Sequence, residues 1–101
     1  IAIDSMALPA LDGAVDAAAM GLVPAGAYKN REYLDKLVNI GPSVPDSLSD
    51  LMFDPQTSGG LLISVPEKTG IELVKRLNEK CPAAIIIGQV ETLDKYPLTV
   101  L

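Results

Sequence analysis

The sequence predicts an α+β domain, a mixed sheet of about four strands with helices packed on it. Three observations point there. Apolar residues recur every three or four positions in two stretches, Leu8, Leu11, Val15, Ala18 and Leu22, then Ile71, Val74 and Leu77, the spacing of a buried helix face. Two short apolar runs, residues 61–65 and 83–87, are bounded by glycine or proline, as buried strands are. With 101 residues, 49% of them hydrophobic, the chain suffices for a single domain over 1–101 with its own core. Aromatic residues make up only 4%, so Ala, Val, Ile and Leu must build that core.

Residues 1–5 alternate weakly and predict a first strand. A helix of small side chains follows, with Pro9 in its first turn, Gly13 inside it and Gly21 at its end. Residues 22–29 read as a turn built on Pro24 and Gly26, and Asn30 as the N-cap of a short helix through Tyr33, Leu34, Leu37 and Val38. Residues 39–50 are expected to be loop, with one helical turn near 47–51. The run 61–65 is the next strand. Thr69 and Glu72 then stand at capping-box spacing, with Pro66 as the alternative occupant of the first helical turn. Pro82 ends that helix, 83–87 is the expected central strand, Gly88 marks a bulge or close approach, and 97–101 is the last strand. The second half, βαββ, is partly like a ferredoxin-type unit.

Eight basic against thirteen acidic residues leave a net charge of −5, which argues against nucleic acid as a partner. It leaves room for a nucleotide, which needs only local N–H or positive groups. Histidine is absent and Cys81 is the only cysteine, so neither a zinc site nor a Ser-His-Asp site is expected, and no intrachain disulfide can form. No apolar run has the length of a membrane span, and no signal-peptide pattern opens the sequence. The expected location is the cytoplasm. Ile1 enters an alternating pattern at once, which reads as a segment of a longer protein.

The stretch richest in chemistry is Asp54-Pro55-Gln56-Thr57-Ser58-Gly59-Gly60. Pro55 fixes its own backbone angle and biases Asp54 away from helix. Three side chains with hydroxyl or amide groups precede two glycines, a set that can bind one anion or polar ligand. Thr57, Ser58 and the N–H groups near Gly59 and Gly60 suit a phosphate oxygen; Gln56 suits a polar group; Asp54 suits a metal or the capping of the loop. The plainer reading is a turn whose hydroxyls satisfy its own backbone. Neither Gly-x-x-x-x-Gly-Lys-Ser/Thr nor Gly-x-Gly-x-x-Gly occurs, so a phosphate cradle of the P-loop type is excluded. Cys81 reads as a small, buried or half-buried hydrophobe.

The stretch from Asp54 to Leu62, DPQTSGGLL, resembles the signature of the selenophosphate synthetases (selenide, water dikinases), members of the aminoimidazole ribonucleotide synthetase superfamily. Leu8-Pro9-Ala10-Leu11, Gly21, Pro24-Ala25-Gly26, Asn30-Arg31 and Ile87-Gly88-Gln89-Val90 resemble further parts of the family pattern, so the likeness runs over nearly the whole chain. It implies the fold of the superfamily's C-terminal domain and an enzyme that makes selenophosphate from selenide, ATP and water, releasing AMP and phosphate. It further implies Mg2+ and ATP bound mainly by an N-terminal domain, a homodimer, and a partner role for that N-terminal domain. The family's catalytic cysteine or selenocysteine, its lysine partner and its metal-binding aspartates have no match here, so no catalytic residue, no metal ligand and no tightly held cofactor is expected in this segment. The expected substrate-cleft residues are Asp54, Gln56, Thr57, Ser58, Gly59 and Gly60, with Asn30 a weaker candidate. Two alternatives stand beside this: another ATP-dependent enzyme of the superfamily, and a mainly structural or interaction domain.

Overall fold

The computed structural model describes residues 1–101. Its elements run β1 (Ala2–Ile3), a 3-10 turn (Ser5–Ala7), α1 (Ala14–Ala19), α2 (Ala25–Leu34), β2 (Val38–Ile40), α3 (Asp46–Met52), α4 (Glu67–Asn78), β3 (Gly88–Gln89) and β4 (Leu98–Val100). The four strands make one mixed sheet in the order β2-β4-β1-β3. The architecture is α+β, with about four strands, as expected.

The two ends of the chain form the sheet's centre. β4 lies parallel to β1, Ile3 opposite Val100, and parallel to β2, with Ile40 also opposite Val100. β1 pairs antiparallel with β3, Ile3 opposite Gly88. Val100 is wholly buried and packs with Ile3 and Val44. Around these three lie Leu8, Val38, Ile40, Met52, Ile87 and Leu98, so α3 reaches the sheet through Met52. The core is aliphatic, with Phe53 the one buried aromatic ring.

Several elements depart from the expected boundaries. α1 is a six-residue helix rather than a run from 8 to 22, and Gly13, φ 77°, stands at its start instead of inside it. Its end is as expected. Gly21, φ 79°, turns the chain, its N–H donating to the Ala18 carbonyl at 2.9 Å and that of Leu22 to the Ala17 carbonyl at 3.0 Å, the double bond of a Schellman motif. α2 begins at Ala25 behind Pro24, so Gly26 lies in helix and not in a turn. Asn30 is therefore mid-helix, and the N-cap reading of Asn30 is incorrect. Val38 belongs to β2, too short a strand to show a period of two.

The largest correction concerns residues 61–65. They form no strand: no backbone group from Thr57 to Val65 pairs with another backbone group, and Leu61 is 90% exposed. Strand propensity is realised only beside a ladder partner, and none is offered here. Residues 83–87 reach the sheet only at their end, where the Ile87 carbonyl accepts the Asp4 N–H at 2.8 Å. The ladder continues at Gly88, where an added Cβ would overlap the Ala2 carbonyl oxygen. That is the close approach the sequence predicts. α4 starts behind Pro66 without a side-chain cap, so the Thr69–Glu72 capping box is not made. Cys81 is exposed, contrary to the buried reading, because its N–H ends α4 by bonding the Leu77 carbonyl at 2.7 Å.

Two measurements check this arrangement. Amide exchange is slowest at Leu101 and Thr99, which bond Ile3 and Ile1 carbonyls, and fast throughout 61–65, where no ladder protects the backbone. Gly88→Ala costs about 1–3 kcal/mol in urea unfolding, since backbone and not a movable side chain stands in the way.

Candidate functional site

The Asp54–Gly60 loop leaves the end of α3. Phe53, the residue capping α3, has φ −100° and ψ 7°, so no left-handed residue turns the chain out of this helix. Its N–H bonds the Asp50 carbonyl at 3.2 Å, and that of Asp54 bonds the Leu51 carbonyl at 3.2 Å. The Phe53 carbonyl, an orphan acceptor of the helix end, takes the Asn30 side-chain amide of α2 at 2.9 Å. Beside it the Arg31 guanidinium donates to Ser49 Oγ at 2.7 Å, pairs with the Asp50 carboxylate at 2.9 Å and lies 5.2 Å from the centre of the Phe53 ring. Ser49 and Phe53 are buried. The base of the loop is thus held by charge-assisted contacts in a partly dry setting.

Beyond that base the loop opens. The Asp54 carbonyl accepts the Gln56 N–H at 3.0 Å across Pro55. The Gln56 side chain curls back over Gly59, with Oε1 2.9 Å from the point a Cβ on Gly59 would occupy. From Pro55 to Gly60 every residue is exposed, and Asp54 is half-buried. The Thr57 and Ser58 hydroxyls make no hydrogen bond within the chain, and neither do their backbone groups. Thr57 and Ser58 lie in a turn that leaves their hydroxyls unused.

Of the expected site residues, Asp54, Gln56, Thr57, Ser58, Gly59 and Gly60 share this loop, and Asn30 joins it from α2 as a clip on Phe53. Two hollows flank it. One, about 390 Å3, is lined by Arg31, Asp35, Asp46, Ser49 and Phe53 among others; the second, about 240 Å3, is lined by Asp54, Asp50, Leu51 and residues of α1. Gln56 to Gly60 line neither of these hollows. Sequence reasoning passed over Gly26 and Arg31 as parts of this assembly. The readable signal was the four-residue spacing of Gly26 from Asn30, hidden by placing a turn at Gly26; Arg31, next to Asn30, carried no such signal.

No three Cys, Asp or Glu side chains gather in a group able to hold a metal ion. The free hydroxyl and N–H donors of the loop do fit phosphate oxygens.

Comparison with known proteins assigns the relationship. The chain is 47% identical over 95 residues to the selenide, water dikinase of Clostridium botulinum, covering 94% of this chain and 27% of that enzyme. The chain is a relative of the selenide, water dikinases. The enzyme of Caldanaerobacter subterraneus subsp. tengcongensis is 46% identical over 99% of the chain and 29% of its own length, and that of Clostridioides difficile is 46% identical over 100% of the chain and 29% of its own length. The chain therefore spans under a third of the selenide, water dikinases it matches, in their C-terminal region. No family model and no solved structure matches it.

Thr57→Val in the full-length protein separates the two readings of the loop. The substitution keeps the β-branched shape and removes a hydroxyl that holds nothing within the chain. Thermal unfolding is expected to be unchanged, while kcat/KM for ATP falls by an amount worth about 1–3 kcal/mol. A lowered Tm with full kcat/KM would show the hydroxyl to be a turn-closing group.

Proposed function

We propose that the chain forms the C-terminal domain of a selenide, water dikinase that makes selenophosphate from selenide, ATP and water and releases AMP and phosphate. The observation that carries this reading is the 47% identity across 94% of the chain. In this reading a separate N-terminal domain binds ATP and Mg2+ and carries the nucleophile, and the Asp54–Gly60 loop lines the substrate cleft. Thr57, Ser58 and the N–H groups of Gly59 and Gly60 donate to phosphate oxygens. Gln56 orients a polar group, and Asp54 caps the loop at its base or bears on the metal from beyond the residues that ligate it. The Mg2+ offsets the charge of the phosphates; this chain's part is to position them and exclude water.

The free donors on a loop with a fixed base support that role, because a site works when its backbone is aimed before the ligand arrives. Exposure supports the partner. Leu61, Leu62, Ile85 and Ile86 are all more than half exposed, an apolar surface of the kind that another body covers. The N-terminal domain of the same enzyme is that body, and the whole enzyme works as a cytoplasmic homodimer. No helix here is long and apolar enough to cross a membrane.

The test compares the full-length protein with the isolated 101-residue chain. The full-length protein should release AMP from ATP in a selenide-dependent way, and the isolated chain should release none. AMP release by the isolated chain would place catalysis in this domain, and its lack from the full-length protein would remove the dikinase reading.

A further inference from the structure

α1 and α3 end differently. α1 closes on itself through Gly21 at φ 79°. α3 has no positive-φ residue at its end, and its exit direction comes from contacts outside the helix. Those contacts come from one stretch of α2. Asn30 holds the Phe53 carbonyl at 2.9 Å. Arg31 ties Ser49 at 2.7 Å and Asp50 at 2.9 Å, and covers the Phe53 ring. Gly26, one helical turn before Asn30 and so on the same side of α2, meets Pro55 itself: a Cβ there would lie 2.8 Å from Pro55 Cγ and 3.3 Å from Pro55 Cβ. A proline ring is fastened to its own backbone and cannot swing aside. The contacts run from Ser49 to Pro55 and stop where the free donors begin.

We propose that Gly26, Asn30 and Arg31 of α2 are positioning residues for the Asp54–Gly60 loop, setting the direction in which Gln56 to Gly60 meet the phosphates of the substrate. The proposal rests on the function inferred above, and it assigns to α2 a role in activity that none of its side chains performs by touching substrate. Gly26 is the second residue of α2, in its first turn, and the Cβ it lacks is what leaves room for Pro55. Arg31 meets both Ser49 and Asp50 through one nitrogen, Nη2, while the plane of its guanidinium covers the Phe53 ring; lysine has one point of charge and no plane.

The experiment uses the full-length protein and the variant Gly26→Ala, with Lys29→Ala on the exposed side of α2 as the stability reference. Alanine favours the helix and pushes Pro55, so stability and activity part company. Expected are a Tm close to that of Lys29→Ala, a fall in kcat/KM for ATP of about tenfold or more, and displaced amide resonances of Gly59 and Gly60 in glycine-labelled protein, with Gly88 in β3 and Gly41 just after β2 unmoved. Unchanged kcat/KM with unmoved Gly59 and Gly60 would overturn the proposal, as would a loss of activity that only follows the folded fraction. Should Gly26→Ala fail to fold, Arg31→Lys carries the same test: a fall of about threefold or more and shifted Gly59 and Gly60 resonances support it, and wild-type values in both overturn it. Should the wild-type protein release no AMP, the dikinase reading fails on its own, and the Gly59 and Gly60 resonances alone decide whether α2 aims the loop.

Discussion

The parallel pairing of β4 with both β1 and β2 is the constraint on which the molecule depends. Val100 stands opposite Ile3 on one side and Ile40 on the other, and it has no accessible surface. The Ile1 nitrogen lies 2.8 Å from the Pro97 carbonyl oxygen, and the Leu101 N–H donates to the Ile3 carbonyl at 2.9 Å. Take β4 away and β1 and β2 have no common neighbour, and Val44, Leu8 and Met52 lose the residue they pack around. Buried aliphatic contact is the main favourable term in a core without aromatics to spare, so the helices keep their places by way of this strand.

That constraint divides the molecule unevenly. The buried side chains lie in residues 2–53 and at Val100, whereas α4 and the stretches beside it bury none. The Asp54–Gly60 loop falls on the boundary between the two regimes. Its base belongs to the packed part, through Phe53, Asn30 and Arg31, and its tip to the open part. A rigid root with an unpaired tip is the usual compromise for a recognition loop, since the scaffold supplies precision and the tip keeps its donors for a ligand.

How much of this was legible depends on the range of the interaction concerned. The loop was legible because its chemistry is local: Pro55, three polar side chains and two glycines announce an exposed turn. The end of α1 was legible at Gly21 for the same reason, and so was the crowding at Gly88. Residues 61–65 misled because propensity is a property of the residues and pairing is a property of the whole chain. The helix expected from Leu8 showed correct spacing, but Gly13 at φ 77° starts the helix later than spacing can tell. Asn30 and Arg31 were seen as neighbours in sequence; what they hold lies 23 and 18 positions away, and no local pattern announces a contact at that distance.

The placement of β4 has a consequence for the chain's birth. A ribosome delivers residues in order, and the strand at the centre of this sheet is residues 98–100. Until those residues clear the exit tunnel, β1 and β2 wait with their facing edges unpaired, together with the apolar stretches 61–65 and 83–87 behind them. The sheet therefore closes only once residues 98–100 are free to pair, and a nascent chain paused before Leu98 displays the apolar surfaces that chaperones recognise.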